Sequence, residues 1–382
     1  MHTTDPIYLD YNATTPILPE VFEAMVPWLR EGFGNPSSNH VYGKRAKAAI
    51  ETARAHVAEL IGSSSDEIIF TSGGTEANNL AIRGVLEAHP ERKHILTSNI
   101  EHPATAKPCA YLARHGYRLE VLGVNALGQV NADEIEEKLD ASSSLVTIMH
   151  ANNETGVLQP ITAISRVTHA NGTFFHTDAA QSLGKVPVDV RALGVDLLSI
   201  AGHKLYAPKG IGALFIKKGV RLQPLVLGAG HEHGLRPGTE NVAFIVGLGK
   251  ACEIAGRSLE AEADRIHVLR DDLWARLNRF VPGIALNGHP TERLPNTLSV
   301  RFPGVSATAL LARTPGIAAS TGSACHDGHE SASGVITAMG VRPDEALGTV
   351  RLTLGRGTTA AHIEEAAEQL AASWKATTSA RH

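Results

Sequence analysis

Along most of this chain the apolar residues fall in short runs, each ending in a polar cluster. The runs are E-I-I-F before T-S-G-G-T-E, H-I-L-T-S before N-I-E-H, L-V-T-I-M-H before A-N-N-E-T-G, T-F-F-H-T before D-A-A-Q, L-L-S-I before A-G-H-K, and G-A-L-F-I. Short runs with little polar alternation predict strands buried on both faces, and helical segments between them predict a mostly parallel sheet. One such segment, R-A-K-A-A-I-E-T-A-R-A-H-V-A-E-L-I-G, is alanine-rich, carries apolar residues at helical spacing and stops at Gly62. The polar clusters then line the carboxyl edge of the sheet, where open α/β sheets bind ligands. From about Glu253 the pattern changes to a long charged helix, a mixed stretch with the strand-like N-T-L-S-V-R-F, and a final helix after T-T-A-A-H-I-E-E. This predicts a second, smaller α+β unit. There is no internal repeat and no low-complexity tract.

Composition narrows the function classes. With 382 residues, 43% hydrophobic and 19% charged, the chain can bury a large core and divide into about two domains. Its 35 basic and 39 acidic side chains nearly balance, which gives no field for nucleic acid or a membrane surface. Small molecules and proteins are the expected partners. Three cysteines, Cys109, Cys252 and Cys325, are too few and scattered for a disulfide framework, so a reducing cytoplasm fits best. No secretion signal or membrane span is expected, since the first residues lack a basic stretch before an apolar core and no long apolar run occurs.

Three clusters carry candidate chemistry. In A-G-H-K-L-Y-A-P-K-G, Lys204 ends an apolar strand at the ligand-binding edge. An isolated lysine there would read as a solvated loop residue. Desolvation and neighbouring cations can instead lower its pKa and let it form a Schiff base with a carbonyl. Asp178, in D-A-A-Q, is either a helix cap or the carboxylate that pairs with the protonated ring nitrogen of pyridoxal phosphate. F-T-S-G-G-T-E-A-N-N-L runs from strand through glycines into a helix, either as an ordinary capped turn or as a phosphate cradle with Gly74 and Thr75. It lacks the lysine of a nucleotide P-loop.

These pieces, in this order, resemble the class V aminotransferase family of pyridoxal phosphate enzymes, and within it the cysteine desulfurases and selenocysteine lyases. The match runs from Y-L-D-Y-N-A-T-T-P to R-L-T-L-G-R-G-T-T and includes G-N-P-S-S, N-N-E-T-G, R-P-G-T-E-N and G-S-A-C. The resemblance implies the aminotransferase fold type I, with residues 16–255 as the large cofactor-binding α/β domain and 1–15 with 256–382 as the small α+β domain. It implies that Lys204 holds the cofactor and moves the substrate's protons, and that His102 stacks on the ring and assists proton transfer. Asp178 would pair with the ring nitrogen, and Gln181 and Asn153 would reach the ring and its phenolic oxygen. Gly74, Thr75 and His203 would bind phosphate, joined by Thr239 of a second subunit in a homodimer. Asn35 and Arg351 would hold the substrate carboxylate, a task suited to arginine's two-pronged donors. One departure is Ala201, where many bacterial desulfurases have a serine that bonds the phosphate.

The stretch T-G-S-A-C-H-D-G-H-E places Cys325 on a polar, small-sided segment expected to be mobile. The resemblance implies that its thiol attacks the substrate's sulfur and carries a persulfide outward. As a thiolate it would be strongly nucleophilic, and His326 or His329 could help form it or could be solvated loop residues. A metal site from Cys325, His326 and His329 is sterically awkward, so no metal is expected. Cys109 and Cys252 read as packing residues in helices. The function expected is conversion of L-cysteine to L-alanine, with the sulfur passing to a protein acceptor such as an iron–sulfur scaffold. Selenium release from L-selenocysteine is the alternative. A catalytically idle scaffold, or a plain aminotransferase or decarboxylase, stands further off.

Overall fold

The computed structural model describes residues 5–322, 324–326 and 329–379, with the backbone alone at 324–326, 329 and 330. The chain enters as β1 (Ile7–Tyr8) and then forms α1 (Pro19–Arg30) and α2 (Val41–Leu60). In α2, Ala46, Ile50, Ala53 and Val57 recur at helical spacing and are all buried, and the His40 side chain caps the first turn by accepting from Gly43 N. The strand–helix alternation follows. β2 (Ile68–Thr71) leads to α3 (Gly74–Ala88), β3 (His94–Ser98) to α4 (Pro103–Ala113), and β4 (Arg118–Leu122) to α5 (Ala132–Lys138). Then β5 (Ser143–Thr147) leads to α6 (Ile161–Ala170) and β6 (Phe174–Asp178) to α7 (Val190–Leu193), before β7 (Leu197–Ala201) and β8 (Gly212–Ile216).

These strands form one seven-stranded sheet in the order β2-β8-β7-β6-β5-β3-β4. β8 runs against its neighbours β2 and β7, and the pairings from β7 through β4 are parallel. Every residue of β2, β3, β5, β7 and β8 is buried, which is why these strands read as near-continuous apolar runs. β4, at the sheet edge, has mixed burial.

α8 (Val242–Phe280) is 39 residues long and passes through the expected 255/256 boundary without a break. Its first half buries Ile245, Leu248, Cys252 and Ala255 in the core of the large sheet. Its second half buries Ile266, Leu273 and Leu277 in a separate core. That second core lies under β9 (Ala285–Leu286), β10 (Thr297–Arg301), α9 (Ala307–Ala312), β11 (Ile317–Ala318) and β12 (Ser320–Thr321). The hairpin of β13 (Ala324–His326) and β14 (His329–Ser331) follows, with Cys325 opposite Glu330. The chain closes with α10 (Gly334–Ala338), α11 (Pro343–Ala346), β15 (Thr349–Thr353) and α12 (Ala360–Ser379). The small antiparallel sheet has the order β12-β15-β10-β9, and β1 pairs in parallel with β11. The N-terminal strand is therefore fastened to the C-terminal unit, and residues 10–15 cross from it to the edge of the large sheet, where Thr15 N donates to His203 O.

Candidate active site

A cavity of about 400 Å³ opens at the carboxyl ends of the large sheet's strands. Its walls carry Gly74, Thr75, His102, Asn153, Asp178, Gln181, His203, Lys204 and Arg351 from the sequence reading, together with Asn12, Asn78, Met149 and Ala201. The strand-end clusters meet here because parallel strands present the same end to one edge.

The anion-ready wall is the start of α3. Gly73 has φ +152°, a conformation that favours glycine, and nothing lies within 4 Å of where its Cβ would stand. At Gly74 a Cβ would come within 3.1 Å of the Ala201 Cβ, so the helix start lies close against the end of β7. The first amides of α3 have no partner within the helix and carry its positive end. Thr75 stands on that turn, one helical turn before Asn78.

Opposite, Asp178 ends β6. Its Oδ1 accepts from Ala180 N at 2.9 Å and its Oδ2 from Asn78 Nδ2 at 2.7 Å, which fixes the carboxylate. Asn78 Oδ1 is buried with no partner. His102 caps α4, its Nδ1 accepting from Ala104 N at 3.1 Å. Desolvation lowers its pKa; Lys204 adds to this and Asp178 opposes it. In the neutral ring the proton is therefore assigned to Nε2, which makes His102 a donor. Just before it, Glu101 is pushed up to about 8 by burial, while its Oε1 takes the Ser98 hydroxyl and the Met149 amide. This ties the end of β3 to the end of β5.

The Lys204 amine donates to the Ala13 carbonyl at 2.7 Å and to the Asn12 carbonyl. Burial first and Arg351 second lower its pKa from 10.5 to about 8, against the opposing charges of Asp10 and Asp178. His203, next to it, accepts or donates at Thr14 Oγ1 over 3.1 Å, and burial with the nearby Lys204 and Lys209 holds it neutral, with a pKa of about 4. Arg351 reaches in from β15. Its Nη1 donates to Asn153 O at 3.0 Å, and its Nη2 to Asp10 Oδ1 at 2.8 Å and Ser320 Oγ at 3.1 Å, while Nε is buried without a partner. Ser320 is directly opposite Arg351 in the small sheet, so the chain running on to Cys325 leaves from beside the guanidinium.

Two predicted residues are not brought to this cavity. Asn35 is exposed, with its Oδ1 accepting from Ser37 N at 2.9 Å. Thr239 is exposed on the loop before α8. The Cys325 thiol, and the side chains of His326 and His329, lie outside the described residues. Cys109 and Cys252 are unpaired and buried in α4 and α8, where burial holds their thiols far above the usual range. Among the described residues no cluster of three or more His, Cys, Asp or Glu side chains is arranged to hold a metal. Sequence reasoning missed Asn78, Asn12 and Asp10. Asn78 had a local signal, since it lies on the same helical face as Gly74 and Thr75.

A sheet of this topology, a fixed carboxylate and a lowered lysine at one strand edge define an α/β enzyme scaffold, and the family match is specific. The chain belongs to the aminotransferase class-V family, whose model matches residues 7–365. It is 46% identical over 356 residues to cysteine desulfurase IscS of Dictyoglomus turgidum, covering 92% of this chain and 90% of the relative. It is 44% identical over 361 residues to cysteine desulfurase NifS of Azotobacter vinelandii, covering 94% and 90%. Among solved structures, a NifS-like protein superposes with a TM-score of 0.90 at 36% identity, covering 96% of this chain and 98% of that one. SspA in complex with cysteine superposes with a TM-score of 0.81 at 37% identity, covering 91% and 98%.

Proposed function

We propose that this chain is a pyridoxal phosphate-dependent cysteine desulfurase that converts L-cysteine to L-alanine and passes the sulfur on as a persulfide on Cys325. The observation that carries this reading is the Lys204 amine, lowered to about 8, in one cavity with the fixed Asp178 carboxylate and Arg351. The residues present fit the cofactor. The open space at Gly73 and the free amides of α3 suit a phosphate, and Asp178, held by Asn78, suits a protonated ring nitrogen. When bound, the cofactor supplies an electron sink for the bonds broken at the substrate's α- and β-carbons.

The chain's own groups do the rest. Arg351, in the cavity wall, binds the substrate carboxylate. Lys204 attaches the cofactor and, when uncharged, takes and returns a proton. His102 offers its Nε2 proton from the cap of α4. The Cys325 thiolate attacks the substrate's sulfur, forming an S–S bond as the C–S bond breaks and leaving the electron pair with carbon, which a proton then converts to alanine. A second thiol, on a protein acceptor such as an iron–sulfur scaffold, can take the sulfur from the persulfide by exchange.

The named relatives are cysteine desulfurases, which favours sulfur over the selenocysteine reading. A lowered lysine in an intact cavity disfavours an idle scaffold. The working unit is a homodimer in this reading. Thr239 stands away from its own chain's cavity, and Phe22, Leu29, Phe33, Val226 and Leu227 are exposed apolar side chains that a second copy would cover. No described helix is long and apolar enough to cross a membrane, and the unpaired Cys109 and Cys252 suit a reducing cytoplasm. The test is borohydride reduction of the cofactor-loaded protein. A stable cofactor adduct is expected on Lys204 and lost in Lys204→Ala, and an adduct on another lysine overturns the assignment.

A further inference from the structure

A second lysine lies beside the site. Lys185 follows Gln181 by one helical turn's spacing, and although the residue is only half-buried its amine is enclosed. It donates to Gln181 Oε1 at 3.0 Å and to Asn12 Oδ1 at 3.1 Å, and among the described residues no carboxylate forms an ion pair with it. Gln181 Nε2 in turn donates to Asn12 O at 3.0 Å, the same carbonyl that receives the Lys204 amine. Asn12 is itself held by Asn296 Nδ2 at 3.0 Å on its Oδ1, and by its own Nδ2 donating to Asn153 O at 3.2 Å and Thr297 Oγ1 at 2.9 Å. One residue of the N-terminal crossing thus supports both lysines.

We propose that Lys185 is a positioning residue for the reaction: its amine fixes the Gln181 amide with Nε2 on the Asn12 carbonyl and steadies the Asn12 turn on which the Lys204 amine rests. The inference rests on the reading of the cavity as a pyridoxal phosphate site. A side-chain amide can turn over, exchanging donor and acceptor. With the Lys185 donor on Oε1 and the Asn12 carbonyl on Nε2, only one orientation satisfies both ends, and a turned amide would leave a buried oxygen facing a carbonyl. A hydrocarbon side chain would fill this space without the cost of burying an amine beside two cations. Burial, with the charges of Lys204 and Arg351, pushes the Lys185 pKa well below its ordinary value. A small cavity is lined by Lys185 and Lys204 together with Tyr11, Tyr206, Glu262 and Arg356, so these are the titratable and charged groups that share its walls.

The test uses the cofactor-loaded protein and two readouts, the pH midpoint of the bound cofactor's visible band and the rate at which cofactor is lost on dilution. Lys185→Met, which keeps length without a donor, is expected to move the midpoint and speed cofactor loss about tenfold, the size of one hydrogen bond with its orphaned partner. Lys185→Gln keeps a donor and is expected to restore most of both. In a Gln181→Ala background, Lys185→Met is expected to add less than about twofold, because its effect passes through that amide. Multiplicative effects in the double variant, or a Lys185→Met protein that matches wild type, overturn the proposal. If Lys185→Met does not fold, the cycle is run with Lys185→Gln, where a midpoint as far displaced as that of Gln181→Ala overturns it. A wild-type protein without a cofactor adduct on Lys204 overturns the site reading itself, whereas a normal wild-type band with additive variants overturns only the role of Lys185.

Discussion

Lys204 should titrate near pH 8 in the cofactor-free protein. Its pKa falls from 10.5 to about 8 because burial disfavours the ammonium form, Arg351 disfavours it further, and Asp10 and Asp178 only partly compensate. At pH 7.5 a group with that pKa is about one quarter uncharged, against about one part in a thousand for an ordinary lysine, so roughly two-hundredfold more amine is ready to attack a carbonyl. Brief labelling with a small anhydride between about pH 6 and 11, read by mass spectrometry at the Lys204 peptide, gives the midpoint directly. Replacing Arg351 by Gln removes a charge that lowers the pKa, so the midpoint must rise. Replacing Asp10 by Asn removes one that raises it, so the midpoint must fall. A wild-type midpoint near 10.5, or shifts of the same sign in the two variants, would refute this electrostatic account.

Two further outcomes follow from groups outside the cavity. Arg54 and Glu232 form a buried two-pronged pair at 2.7 and 2.9 Å, and Glu232 also accepts from Phe70 N at 2.7 Å, which fixes the loop before Thr239 to the sheet edge. Arg54→Met strands the carboxylate and should cost about 3–5 kcal/mol in denaturant unfolding; a loss under about 1 kcal/mol would show that the pair is not enclosed. His176, fully buried between Thr147 and Ser199, is held neutral down to about pH 3. Its folded pKa lies below the unfolded one, so folding stability is lost as pH falls below about 6.5, by up to about 1.4 kcal/mol per unit. His176→Gln should therefore lose about 1.6 kcal/mol less than wild type between pH 6.5 and 5, and equal losses would contradict the burial argument.

The fold was legible where burial on both faces left its mark. H-I-L-T-S, L-L-S-I and G-A-L-F-I read as strands because nearly every side chain there is enclosed, and the polar clusters after them meet at one edge by parallel topology. The edge strand β4 carries no such mark, since its burial is mixed. Lys204 and Asp178 were legible as strand-end residues, and His102 came from the resemblance. Asp10, Asn12 and Lys185 were not, because their roles come from the N-terminal crossing, and contacts such as Arg351 to Asp10 join residues from opposite ends of the chain. Asn35 and Thr239 came from resemblance alone, and within one chain neither reaches the cavity.

In the proposed reaction Cys325 receives sulfur in a site run by Lys204 and Arg351. The most direct measurement is alanine release from L-cysteine by cofactor-loaded wild type and Cys325→Ala, with the mass of the wild-type Cys325 peptide read after turnover. Cys325→Ala is expected to bind cofactor and change its spectrum with L-cysteine, because Lys204 and Arg351 are untouched, yet to form almost no alanine, while the wild-type peptide gains one sulfur. Undiminished alanine release by the variant, with no added sulfur on wild-type Cys325, would contradict it.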